Sequence, residues 1–327
     1  MDVAAASGVS QATVARVFSS PDLVSPATAE KVREVADRLG YVPNAIARSL
    51  KSQRTDMVGA VVPARGGYWQ GVIGAFSRQL TDRGLQLLLF SFSDAHPLDR
   101  VLTSVDQYRL DGLVLASAII GPSQLARMAA GPAPVVAFNQ PSAAGVTPSV
   151  SVDNEAGTGD LARHLHELGC QRVCFIGGLA SASTDSQRHR GAAGVLAGLG
   201  VECVYVEAGD FSYDAGYRAA QAMVREGTVP DAAMAAADEL AFGVIDGFEA
   251  AGVRVPDDVL VTGFDGVPQS NWARYDLTTV VQPIDVLVDR AISLLIDQPP
   301  TSGDVPDVIV AGDVRRGRTT RRSTSVV

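Results

Sequence analysis

Residues 8–18 read Gly8-Val9-Ser10-Gln11-Ala12-Thr13-Val14-Ala15-Arg16-Val17-Phe18 and directly follow the alanine-rich segment Val3–Ser7. The alanines favour a first helix, Gly8 a tight turn, and Ser10 the N-cap of a second helix. That second helix would place polar side chains in its first turn and Val14, Val17 and Phe18 on its inner face. This is the layout of a helix-turn-helix, whose second helix enters the DNA major groove with its N-terminal side chains toward the base edges. From Ala27 to Leu39, Val32, Val35, Ala36 and Leu39 recur at helical spacing, so a third helix is expected to close the bundle, with Gly40 as its stop.

Net charge is −9, a balance that by itself argues against nucleic acid. Its distribution argues otherwise. Residues 1–55 hold seven Lys/Arg against five Asp/Glu, so this segment is at +2 and the remainder at −11. Local charge governs phosphate contact, and an acidic body would keep the remainder off the DNA.

A chain of 327 residues has room for two or three domains with substantial cores. No apolar run approaches the roughly 18 residues that a membrane span needs. The N-terminus has no basic stretch leading into an apolar core, so a cytoplasmic protein is expected. The three cysteines, Cys170, Cys174 and Cys203, are odd in number and irregular in spacing, which argues against a disulfide framework.

After Met57 the texture becomes alternating strand and helix. Strands are expected at 57–62, 85–92, 113–116, 135–138, 173–176, 203–206 and 259–262. Helices are expected at 71–83, 155–168, 190–199, 213–225, 240–251 and 284–297. The strands are continuous Val/Leu/Ile runs, the pattern of parallel strands buried on both faces by crossover helices. So many units exceed one ordinary doubly wound sheet and imply two α/β lobes, with a ligand cleft at the strand C-termini between them.

Several stretches carry a resemblance along nearly the whole chain. They are DVAAASGVSQATVARVF, VSPATAEKVREVADRLGYVPNAIARSL, MVGAVVP, VSVDNEAGTGDLARHLHELG, RVCFIGG, GDFSYDAGYRAA, AAADELAFGVIDGFEAAGVRVPDDVLVTGFDG and LTTVVQP. With these the chain resembles the lactose/galactose repressor (LacI/GalR) family of bacterial transcriptional regulators. The resemblance implies an α/β protein: an N-terminal helix-turn-helix bundle plus a two-lobed, periplasmic-binding-protein-like core of parallel sheets. The corresponding domains are a DNA-binding domain over 1–42, a hinge helix and linker over 43–56, and an effector-binding and dimerisation core over 57–312. Within the core, the N lobe takes about 57–153 and 284–312 and the C lobe about 154–283. Residues 313–327 are read as a C-terminal tail.

The resemblance also assigns residues. Gln11, Ala12 and Arg16 take the base-reading positions behind the N-cap Ser10. Gln can pair bidentately with adenine, Arg with guanine, and Ala can touch a thymine methyl. Thr13 resembles a phosphate contact, which positions without specifying. Residues 43–50 resemble the family's minor-groove hinge helix, with Leu50 as the wedge between base pairs, Ala47 packed beside it, and Asn44, Arg48 and Lys51 on phosphates. Two such hinges imply a homodimer on a near-palindromic double-stranded operator. The family pattern has a helix-capping Thr before Asp-Val-Ala. Here Asp2 follows Met1 directly, so either the true start lies upstream or DNA binding is weak.

For a small-molecule effector, a sugar or related metabolite, the resemblance points to Arg188 in the R-x-x-G motif, Asp265 in GFDG and Phe211 in GDF. Tyr68, Trp69, Asn139 and Asp238 are the further candidate lining residues. Ala237 stands where many relatives have Asn, which removes a typical amide contact. No cofactor is expected. His164 and His166 fall about 200° apart on a helix, and Cys174 belongs to a buried strand, so no metal site is read there. There is no phosphate-binding Gly-rich loop and no nucleophile elbow, so the chain is expected not to be an enzyme. The expected function is a ligand-responsive DNA-binding regulator, a repressor. A sugar-binding transport protein is the alternative.

Overall fold

The computed structural model describes residues 3–19, 21–41, 54–93, 95–141, 147–297 and 305–321. The chain divides into two compact units, Met1–Asp56 and Met57–Val327.

In the first unit, α1 (Val3–Ser7), α2 (Gln11–Ser19) and α3 (Pro26–Arg38) bury Val3, Ala4, Val14, Val17, Ala29, Val32, Val35 and Ala36 against one another. Gly8 makes the turn between the first two helices at φ +69°, a left-handed conformation that costs glycine little. Ser10 caps α2, its Oγ accepting from the Thr13 N–H at 3.1 Å. Ser25 caps α3 in the same way, with Pro26 just inside the helix.

The second unit is built on two six-stranded sheets. The first runs in the order β2-β1-β3-β4-β5-β11, with β1 Met57–Pro63, β2 Gln86–Phe92, β3 Gly112–Ala116, β4 Val135–Phe138, β5 Ser149–Val152 and β11 Asp307–Val310. Every pairing in it is parallel. The second runs β7-β6-β8-β9-β10-β12, with β6 Arg172–Gly177, β7 Glu202–Glu207, β8 Ala232–Ala235, β9 Leu260–Asp265, β10 Thr278–Val281 and β12 Asp313–Arg315. Only β12 is antiparallel there.

The helices of the first lobe are α4 (Gly67–Asp82), α5 (Leu98–Val105) and α6 (Pro122–Ala129), joined late in the chain by α11 (Ile284–Ile292). Those of the second lobe are α7 (Asn154–Glu167), α8 (Ser183–Gly198), α9 (Tyr213–Glu226) and α10 (Asp238–Ala250). β3, β4, β5, β8 and β9 are buried at every position, as strands covered on both faces must be. The chain passes between lobes after β5, after β10 and between β11 and β12.

The stretch read from sequence as a tail does not begin as one. Asp313–Arg315 pairs with β10, and Thr319 and Thr320 are buried. Thr319 Oγ1 accepts from the Thr278 N–H at 2.9 Å, and Thr320 Oγ1 shares bonds with Thr278 Oγ1 at 2.8 Å and His164 Nε2 at 3.1 Å. These hydroxyls satisfy polar groups at the sheet edge, which holds residues 313–321 to the lobe.

Candidate DNA-reading helix and effector cleft

Val14 and Val17 fix the inner face of α2, so Gln11, Ala12, Ala15 and Arg16 come together on its outer arc, all exposed. Ser10 is exposed at the helix start. Thr13 is half-buried, and its Oγ1 lies 2.9 Å from Ser10 Oγ. A hydroxyl has one donor and two acceptor sites, so this contact leaves Thr13 with capacity for a phosphate. The candidate hinge residues Asn44, Ala47, Arg48, Leu50 and Lys51 lie outside the described residues.

In the second unit the candidate residues sit at strand ends and on the helix turns that follow. Tyr68 and Trp69 occupy the first turn of α4 and Asn139 follows β4. Arg188 lies on α8, Phe211 follows β7, Asp238 opens α10, and Asp265 ends β9.

Arg188 is the best-anchored of them, at 3% exposure. Its Nε donates to Asn154 Oδ1 at 2.8 Å and its Nη1 to the Ala236 carbonyl at 2.5 Å. Its Nη2 pairs with Asp265 Oδ1 at 3.3 Å. A guanidinium has five N–H donors, so two remain for a ligand. The same Asp265 oxygen accepts from Gln282 Nε2 at 2.8 Å, and Gln282 Oε1 accepts from the Tyr68 hydroxyl at 3.0 Å. Tyr68, Gln282, Asp265, Arg188 and Asn154 thus form one hydrogen-bonded row from the first lobe into the second. Burial raises the Asp265 carboxyl above its ordinary range, while Arg188 and Gln282 hold it back toward the charged form.

Asp238 behaves differently. It is fully buried, with Oδ1 accepting from Thr279 Oγ1 at 2.5 Å and Oδ2 from the Val267 N–H at 2.9 Å. A Cβ on Gly263 would lie 2.4 Å from that Oδ1, so the carboxylate fills the space a side chain there would need. Each oxygen of Asp238 thus has a protein partner, one on β10 and one in the loop after β9. Burial and the nearby Asp265 raise its pKa.

Phe211 is half-buried and lies against Gly178, where a Cβ would come within 2.4 Å of its ring. Gly178 also donates its N–H to Asp185 Oδ1 at 2.7 Å, and Asp185 Oδ2 accepts from the Tyr205 hydroxyl at 2.9 Å. Trp69 meets Tyr68 edge-on at 5.1 Å between ring centroids. Asn139 is buried with φ +59°, and its Oδ1 has no hydrogen-bond partner.

Sequence reasoning missed Asn154, Gln282 and the Ala236 carbonyl. The first two stand inside the quoted stretches VSVDNEAG and LTTVVQP, but an isolated amide has no periodicity to mark it. A backbone carbonyl leaves no trace in sequence at all.

The row of partners around Arg188 and the helical reader at the N-terminus each have a counterpart among known families. Residues 1–44 match the family of bacterial regulatory proteins of the lacI type. Residues 55–311 match the periplasmic binding proteins and sugar binding domain of the LacI family. The chain belongs to the LacI family of bacterial regulatory proteins.

Within that family the chain is 32% identical over 303 residues to catabolite control protein A of Priestia megaterium, covering 90% of each chain. It is 31% identical over 301 residues to the ribose operon repressor of Escherichia coli (strain K12), covering 90% of this chain and 91% of the relative. Its fold superposes on the lac repressor dimer bound to operator and the anti-inducer ONPF with a TM-score of 0.85, at 24% identity over 98% of both chains. LacI-family membership accounts for a DNA-reading bundle and a two-lobed receptor in one chain. Among the described residues no helix is long and apolar enough to cross a membrane.

Proposed function

We propose that this LacI-family chain is a cytoplasmic transcriptional repressor, dimeric on a near-palindromic operator and controlled by a sugar or sugar-like effector in the interlobe cleft. It acts by binding and not by catalysis. The observation that carries the effector reading is the Arg188–Asp265 pair. Arg188 keeps two N–H donors after its protein contacts, and Asp265 uses only Oδ1 among the described residues. A planar donor beside a carboxylate oxygen suits vicinal hydroxyls, and the aromatic faces of Trp69 and Phe211 suit the C–H side of a sugar ring. Tyr68 and Asn139 complete the lining, with Asp238 bracing from behind.

On the DNA side, Gln11, Ala12 and Arg16 read base edges, and Ser10 and Thr13 hold the phosphate backbone. A coupling of about 1–3 kcal/mol between the two sites would change operator affinity roughly 5–150-fold. The test is fluorescence anisotropy of the full chain, at fixed salt, on a palindromic site from its own promoter region and on a scrambled control. A panel of neutral mono- and disaccharides is then added. Specific binding by a dimer, altered by at least one sugar, supports the reading. Sugar binding without any operator binding would favour a solute-binding protein instead.

A further inference from the structure

Helix α4 begins without a side-chain cap of its own. Its N-cap is Gly66, at φ +112°, which has no side chain to accept a first-turn N–H. The acceptor comes from the other lobe: the Gly67 N–H donates to Glu239 Oε2 at 3.3 Å. Glu239 is the second residue of α10 and is half-buried. A carboxylate there takes up an orphan donor and meets the positive end of the helix dipole.

The same turn is enclosed further by the second lobe. A Cβ on Gly67 would lie 3.8 Å from Gln269 Oε1 and 3.9 Å from Val267 Cγ1, both in the loop after β9. Elsewhere the lobes meet through a backbone–backbone bond, from the Ser183 N–H at the start of α8 to the Ala118 carbonyl just after β3, at 3.0 Å.

We propose that Glu239 is an interlobe clasp, a positioning residue that caps α4 from the opposite lobe and so sets how far the cleft closes before any effector enters. Closure through this bond brings Tyr68 into hydrogen-bonded register with Gln282 and Asp265. The inference deepens the effector reading, but its test needs neither operator nor effector, so the two stand or fall separately.

The experiment is hydrogen exchange by mass spectrometry on the full chain, following peptides over 64–72 and 180–188. In Glu239→Ala, exchange is expected to rise roughly tenfold in the first turn of α4 and also at Ser183, because both bonds depend on one closure. Glu239→Gln keeps a carbonyl acceptor without the charge and is expected to fall between the two. Gly67→Pro removes the N–H donor at a helix position that tolerates proline, and a Cβ on Gly67 meets nothing closer than 3.8 Å. It should reproduce the Ser183 effect with Glu239 intact, which keeps the test available if Glu239→Ala fails to fold. Faster exchange confined to α4 would mean a local cap and would overturn the clasp, as would no change in either peptide.

Discussion

The guanidinium of Arg188 lies over the ring of Phe264, 3.7 Å from its centroid, with its edge bonded in three directions. Phe264 is fully buried in β9, so the cation rests on a rigid floor. Cation–π contact adds to a geometry that a lysine cannot reproduce, since an ammonium has neither a flat face nor a fork. Arg188→Lys is therefore expected to abolish the sugar response while specific operator binding persists. Arg188→Ala additionally leaves Asp265 buried without its partner, at a cost of about 3–5 kcal/mol in urea unfolding. An intact sugar response in Arg188→Lys would displace Arg188 from the effector site.

Asp265 gives a pH signature. Burial raises its carboxyl above the unfolded value of 3.8, so its ionised form costs stability at neutral pH. The protonated form removes that cost as pH falls through the folded value toward 3.8. Asp265→Asn lacks this titration and also removes the charge that helps raise Asp238, a change of the same sign. The melting temperature of the variant minus that of the wild type should therefore be more positive at pH 7.5 than at pH 5. His164, whose pKa is lowered by burial and Arg316, works in the opposite sense but is common to both proteins and cancels. A difference that stays flat with pH would remove Asp265 from the stability balance.

On α2, Arg16 is exposed beside Ala12 on the outer arc. Arg16→Ala is expected to weaken operator binding by about 1–3 kcal/mol and to relax preference at one base pair in each half-site. Anisotropy against operators substituted at single positions checks it. Equal losses on every sequence would make Arg16 a phosphate contact instead.

Phe211 is placed by Gly178, because any side chain at 178 would collide with the ring. Phe211→Ala and Gly178→Ala should both weaken sugar binding, by about 0.5–1.5 kcal/mol for the lost stacking face. Calorimetry with whichever sugar alters operator binding provides the measurement. Unchanged affinity in both variants would confine Phe211 to packing.

Trp272 is 57% exposed in the segment between β9 and β10, an unusual position for so large an apolar side chain. If this face is where two copies meet, Trp272→Glu will lower the sedimentation coefficient toward that of a monomer and weaken operator binding with it. A variant that still sediments with the wild type would move the interface elsewhere.

These residues also show what was legible beforehand. β4 was expected at 135–138 and is found there, because Val135–Phe138 is a short apolar run bounded by Pro134 and Asn139. β8 was missed because Ala232–Ala235 contains no β-branched residue, and its burial comes from covering helices that propensity cannot see. The short helices α5 and α6 were missed too. α8 was expected to start at Arg190 but starts at Ser183. Its first turns bury Thr184, Asp185 and Arg188, polar residues that face polar partners and so break the apolar period. α4 likewise starts at Gly67, four residues before the expected 71, because its N-terminal acceptor lies 172 residues away. The charged and aromatic candidates stand out by motif, whereas the bonds that Thr279 and Val267 make to Asp238 have no signal in sequence.

The three passages between lobes run through Asp153, through Gln282–Pro283 and through Ala311–Gly312. The first and third are tied together, the Asp153 N–H donating to the Val310 carbonyl at 2.8 Å. At Gly312 a Cβ would lie 2.8 Å from Val280 Cγ1, so the third is pressed against the strand that feeds the second. Three struts packed side by side resist sliding and stretching but yield to a common twist. Rotation is then the easiest motion of one lobe against the other, and an occupant of the cleft would act on them chiefly through an angle.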